Sequence, residues 1–174
     1  MSDQVNQLTA SIASLNKQIN QVQGSTNTTP ANLLDSRAEA VRSLNELIGV
    51  TAVEKNGVFS VSTGSGQSLV LGDQFSTISA VPSKGDTSQY TIELNAPGGT
   101  KLDLGNVISG GSIGGLLRYR SDALIPAIND LGRIAVATAD VVNSQLGQGL
   151  DLNGEFGSSS VSYTHLRAHE TRED

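Results

Sequence analysis

The sequence has no cysteine and no tryptophan, and aromatic residues make up only 3% of its 174 positions. Without thiols there is no disulfide framework and no thiolate metal site. Histidine is scarce as well: both copies, His165 and His169, fall in the last ten residues. No apolar run approaches the ~20 residues that span a bilayer. Met1-Ser2-Asp3-Gln4 lacks the basic and apolar regions of a cleaved signal peptide. The formal net charge of -6 disfavours nucleic acid, whose binding is driven by lysine and arginine neutralising phosphates. The expectation is a protein with few reactive groups, no cofactor or metal, no membrane partner and no small-molecule substrate.

What the chain has is helical periodicity. Val5, Leu8, Ile12, Leu15, Ile19 and Val22 are spaced three, four, three, four and three apart, with polar residues almost everywhere between them. So narrow an apolar stripe wants a partner helix rather than a broad core. The breaker Gly24-Ser25-Thr26-Asn27-Thr28-Thr29-Pro30 follows, and then a second helical segment from Asn32 to Ile48. There Leu34, Val41 and Ile48 recur every seven residues, with Ala38 and Leu44 assigned to the same face. Two helices joined by a short polar loop predict an antiparallel hairpin.

The period changes after Gly49, which is placed to stop the second helix. Val50–Val53 and Val58–Ser62 read as strands around Asn56-Gly57, a strong short hairpin signal. Further short strands are predicted at Ser68–Leu71, Phe75–Val81, Tyr90–Leu94 and Lys101–Leu104, mostly antiparallel because their links are short. Residues 50–105 are therefore expected to form a small inserted β domain, separable from the helices. Gly110-Gly111-Ser112-Ile113-Gly114-Gly115 reads as a flexible hinge. Helical period then returns: Leu117, Leu124, Leu131 and Thr138 form one row, and Ser121, Ile128, Ala135 and Val142 the next. Pro126 is expected to kink this helix. The first seam, through Leu8, Ile12, Leu15 and Ile19, is expected to pack on this helix through Leu124, Ile128, Leu131 and Ala135.

Catalytic patterns are thin. Gly110-Gly111-Ser112-Ile113-Gly114 fits G-x-S-x-G, but a nucleophile elbow needs a long preceding strand and a histidine in the fold. His165 and His169 are spaced for a zinc helix, yet Leu166 and Ala168 stand where either metalloprotease pattern needs glutamate. Asp151-Leu152-Asn153-Gly154-Glu155 begins like a calcium loop, with Phe156 in place of the required glycine. Arg37 with Asp35 reads as a solvated or inter-helix ion pair. None of these supports an enzyme.

Four stretches, in order, resemble the flagellar hook-associated protein 1 family. Residues 32–55 carry its N-x-L-L-D-x-R pattern at Leu33, Leu34, Asp35 and Arg37, with Ala38 where the family has aspartate. Gly66–Gly72 matches G-x-x-L-V-x-G. Gly110–Arg120 matches G-G-x-L-G-G-L-L-x-F-R, including Gly114, Gly115 and Arg120. Leu131-Gly132-Arg133 through Asn143, with Gly149–Gly154, completes the series. The order holds over residues 1 to about 157.

The resemblance implies an α+β fold: an elongated antiparallel helical bundle or coiled coil carrying a small antiparallel β domain. Residues 1–49 would be a helical hairpin of a rod-like domain, 50–105 the β insertion, and 106–157 the hinge and returning helix. It implies a non-enzymatic structural subunit of the bacterial flagellum, exported without a cleaved signal and joining hook to filament. Its expected partners are copies of itself in a ring, the hook protein and the next junction protein. Family members polymerise through terminal coiled-coil segments, so this stretch is expected to be internal. Residues 158–174 match nothing in the family and resemble translated adapter read-through, so they are expected to be a non-native tail. A second reading is a helical stalk bearing a β binding module, as in a phage tail or surface adhesin.

Overall fold

Helix α1 (Ser2–Thr26) and helix α2 (Ala31–Ile48) form the expected antiparallel hairpin. Asn16 meets Arg37 near the connecting loop, while Leu8 lies beside Leu47 at the far end. The chain is seen in a computed structural model that describes all residues except 27, 29, 86–88, 151 and 163–174. The buried positions of α1 are Val5, Thr9, Ile12, Ala13, Asn16 and Ile19, with Leu8 and Leu15 only half-buried. This face is wider than a heptad seam because α1 packs on strands as well as on α2. On α2 the buried row is Arg37, Ala40, Leu44 and Ile48. Leu33, Leu34, Val41 and Leu47 flank it, and Ala38, expected inside, is exposed.

The strands form two antiparallel meanders. The first sheet runs β1 (Val50–Lys55), β2 (Val58–Thr63), β3 (Ser68–Leu71) and β4 (Gln74–Phe75); the second runs β5 (Thr77–Pro82), β6 (Tyr90–Asn95) and β7 (Lys101–Asp103). Asn56 and Gly57 make the β1–β2 turn with positive φ values of 53° and 74°, so that Lys55 faces Val58 and Glu54 faces Phe59. That backbone is the one an Asn-Gly pair adopts most readily.

The β region is not a separate domain. Val61, Leu69 and Val70 of the first sheet and Ile78 and Leu94 of the second join Val5, Ile12, Ala13, Ala40, Leu44 and Ile48 of the helices in a single core. Three- and four-stranded meanders this short have one apolar face each and need a cover; the helical hairpin supplies it. Residues 49 and 105 thus mark changes of secondary structure, not domain boundaries. The compact units are Met1–Tyr119 and Arg120–Asp174.

Nor is the glycine run a loose hinge. The chain enters the β region at Gly49 and returns at Gly110, and the two backbones cross in contact. A Cβ at Gly49 would lie 2.7 Å from the Gly110 Cα, and one at Gly111 would lie 2.5 Å from the Ile48 nitrogen. Gly49 and Gly111 also hold φ of 63° and 68°, conformations costly for any other residue. Ser112 Oγ donates to the Glu46 carbonyl at 3.0 Å across the same crossing, and helix α3 (Gly111–Tyr119) starts from it.

The second unit begins with a π-helical turn, Arg120–Leu124, and continues as α4 (Ile125–Gly147). The expected irregularity at Pro126 thus falls just before it. The proline ring crowds the carbonyl four residues back, that of Asp122, and widening the preceding turn relieves the crowding. Beyond α4, Leu150 pairs with Phe156, and the Gly157 amide donates to the Gly149 carbonyl at 2.9 Å. Asn143 Oδ1 accepts the Ser160 and Val161 amides at 3.1 and 3.0 Å. Of the expected non-native tail, residues 163–174 lie outside the described residues, His165 and His169 among them.

Candidate assembly surface

Most of the residues singled out in the sequence are spent inside the first unit. Ile12 and Ile19 are buried, and Leu8, Leu15, Leu33, Leu34, Val41 and Leu117 are half-buried. Gly114 is buried because it abuts the Ser109 backbone: a Cβ there would lie 2.6 Å from the Ser109 carbonyl carbon. Gly115 and Arg120 are half-buried, and Asp35 is exposed.

Arg37 has a different role from the one its spacing suggested. Residues two apart on a helix do not face each other, and its partner is not Asp35. Its guanidinium lies buried 3.8 Å above the Phe59 ring centroid. It donates to Asn16 Oδ1 at 3.2 Å and to Glu54 Oε2 at 3.0 Å. Asn16 Nδ2 in turn donates to the Gly72 carbonyl at 2.7 Å. One cation thereby ties α2 to α1, β1, β2 and the turn after β3. Half of the Glu54 side chain is in solvent, so the ion pair alone contributes little. The value of the network lies in leaving no donor stranded: no buried side-chain polar atom among the described residues lacks a partner.

Asn6 and Thr9 continue the pattern along α1. Asn6 Nδ2 donates to the Ile78 carbonyl at 2.9 Å, and Asn6 Oδ1 accepts the Ile78 amide at 2.7 Å. The amide side chain takes the place of a neighbouring strand at the edge of β5. Thr9 Oγ1 donates within α1 to the Asn6 carbonyl at 3.0 Å and reaches the Ser76 carbonyl at 3.3 Å. Sequence reasoning passed over Asn6, Asn16, Glu54 and Phe59. A signal existed for one pair: Thr9 and Asn16 are seven apart and lie beside the apolar seam.

The second unit is the opposite case. Leu124, Ile128 and Leu131, expected to be covered by α1, are exposed, Leu131 by 67%. Ile134, Val141, Val142 and Leu146 are exposed as well, and Ala139 is the only buried residue of α4. Ile12 and Ile19, the residues expected to cover them, are buried within the first unit. Along α4, Ala135 and Thr138 interrupt the large side chains, while Asp130 and Arg133 pair with each other at 2.8 Å. These exposed apolar side chains make α4 the candidate surface.

Among the described residues no three His, Cys, Asp or Glu side chains gather as a metal site, and no helix is long and apolar enough to cross a membrane. Ser112 of the G-x-S-x-G stretch is committed to the Glu46 carbonyl. The Glu39 carboxyl is held below its ordinary value by the hydrogen bond from Arg42, one turn on, and both side chains are exposed. Two surface grooves, about 510 and 550 Å³, are walled by Gln4, Gln7 and Ser11 against Ser43 and Glu46, and by Lys17, Asn20 and Gln21 against Val58 and Leu71.

Comparison with known proteins places the chain. The family model described as flagellar hook-associated protein FlgK helical domain matches residues 1–159. Flagellar hook-associated protein 1 of Escherichia coli is 37% identical over 158 residues, covering 89% of this chain and 29% of that protein. Its counterpart in Salmonella typhimurium is 33% identical over 162 residues, covering 91% and 29%. The structure of the flagellar hook junction protein FlgK from Burkholderia pseudomallei superposes with a TM-score of 0.83 at 38% identity, covering 91% of this chain and 29% of that one. The chain therefore spans less than a third of the length of these relatives, and, with the helical-domain model matched over residues 1–159 and an α+β fold, it belongs to the flagellar hook-associated protein 1 (FlgK) family.

Proposed function

We propose that the complete protein is a structural subunit of the bacterial flagellum, joining hook to filament, and that this chain is the part of it that packs helices together. The observation that carries the reading is the uncovered apolar stripe of α4, Leu124 to Leu146. Apolar side chains set at helical spacing gain free energy by meeting another helix, and more than two-thirds of the relatives' length lies outside this chain. Helical segments from that remainder would cover the stripe and lock subunits into a ring. The hook protein and the next junction protein would contact the ring's two faces. Nucleic acid, membrane and small-molecule substrates have no part in this reading. Export is by way of the flagellum, without a cleaved signal, and the working site is extracellular.

The role is non-catalytic. A demanding reaction needs a nucleophile or base with a tuned environment; the sequence holds no cysteine, and both histidines lie beyond residue 160. The phage-tail or adhesin alternative has no specific observation in its favour.

Complementation tests the proposal. The complete protein should restore filament attachment in a mutant lacking its own first junction protein. Ile128→Asp with Leu131→Asp should abolish attachment while leaving export intact. Filaments still attached in that double mutant would remove the stripe from the mechanism.

A further inference from the structure

The chain contains two Asn-Gly pairs, Asn56-Gly57 and Asn153-Gly154. Such a pair can rearrange without an enzyme when the asparagine is exposed, its amide is unengaged and nothing crowds the glycine nitrogen. Asparagines held in hydrogen bonds fail these conditions. Asn6, Asn16 and Asn143 all have their amides in hydrogen bonds to backbone or to Arg37, and none precedes a glycine. Asn153 has an interaction of its own.

Asn56 meets every condition. It is exposed, it sits at the tip of the β1–β2 hairpin, and its side chain has no partner among the described residues. Space around Gly57 is open: even an added Cβ would meet nothing within 4 Å. We propose that Asn56 is a site of spontaneous self-modification. The Gly57 backbone nitrogen gives up its proton to solvent and attacks Asn56 Cγ. A carbon–nitrogen bond forms, the side-chain amide leaves as ammonia, and a five-membered succinimide remains. Water then opens the ring at either carbonyl, yielding an aspartyl or an isoaspartyl linkage. No oxidant, metal or second protein is required.

The two products differ in consequence. An aspartyl residue keeps the two-residue turn and adds a negative charge next to Lys55. An isoaspartyl linkage inserts a methylene into the main chain of that turn and so disturbs the pairing of Lys55 with Val58 and of Glu54 with Phe59. Those last two residues are the ones Arg37 grips, so the modification reaches from an exposed tip to the buried cation. This inference is independent of the junction reading.

The test is peptide mass mapping of the folded chain after incubation in mildly alkaline buffer, beside a free peptide spanning Val53–Ser60. The expected result is the mass gain of an amide-to-acid conversion at Asn56, resolved as two products. Its rate should fall within about tenfold of the free peptide's, because exposed loop tips open at little cost. Asn56→Gln should remove the signal, since the longer side chain closes the favoured ring poorly. Conversion confined to the free peptide, with Asn56 intact in the folded chain, would overturn the proposal, as would an undiminished signal in Asn56→Gln.

Discussion

Helices α1 and α4 are of similar length, 25 and 23 residues, and both carry apolar residues at heptad spacing. Yet the more polar of the two is the buried one. Helix α1 encloses Thr9 and Asn16 at 0 and 2% exposure, whereas α4 leaves Leu131 and Val141 exposed by 67 and 69%. The difference lies in what each helix lies against. Helix α1 lies along backbone whose amides and carbonyls need partners, at Gly72, Ser76 and Ile78, and a hydroxyl or amide at the right phase satisfies them. An unpaired buried backbone group costs about 1–3 kcal/mol, comparable to what a well-buried leucine contributes. Helix α4, by contrast, leaves most of its large apolar side chains exposed.

The contrast can be broken most sharply with a truncation on α1. Ile12→Ala should destabilise by about 2–5 kcal/mol in chemical denaturation, since the side chain is fully buried and the cavity cannot collapse freely. Gly111→Ala should come next, at roughly 1–3 kcal/mol or more, because it combines a left-handed backbone with a main-chain collision. A loss near zero there would mean that the crossing of Gly49 and Gly110 is loose after all. Asn16→Leu sharpens the comparison differently. It makes α1 more apolar, yet it should cost about 1–3 kcal/mol by stranding the Gly72 carbonyl and one Arg37 donor. In a double-mutant cycle with Arg37→Met, the coupling should be about 0.5–3 kcal/mol; additive losses would dissolve the network into separate contacts. The smallest effect belongs to α4: Leu131→Ala should shift stability by no more than about 0.5 kcal/mol in this chain.

Much of the fold was legible because local signals agreed with each other. The heptads gave both helices of the hairpin, Asn56-Gly57 gave the first turn, and the alternating runs gave most of the strands. Period alone could not separate a seam that meets one helix from a face that meets a helix and two sheets, so the burial of Thr9 and Asn16 beside the seam was not legible. The same blindness made the β region look detachable. Its apolar faces are evident in the sequence, but their cover, Val5, Ile12 and Leu44 among others, lies far away along the chain. Glycine was misread for a related reason. Gly110 and Gly111 look like freedom in sequence, whereas contact with Gly49 and Ile48 makes them a requirement of close packing. For the candidate surface, spacing placed Leu124 and Leu131 in one row and Ile128 in the next and expected α1 to cover them, whereas all three are exposed.

The central claim is that the α4 stripe is reserved for helical segments of the complete protein. The most direct test is the unfolding free energy of Leu131→Asp measured in two settings, this chain and the complete protein. In this chain the change should stay within about 0.5 kcal/mol, as for an exposed site. In the complete protein it should exceed about 2 kcal/mol, because a charge would then be placed in a covered apolar seam. Equal, small changes in both would contradict the claim, since the stripe would then remain bare when the rest of the chain is present.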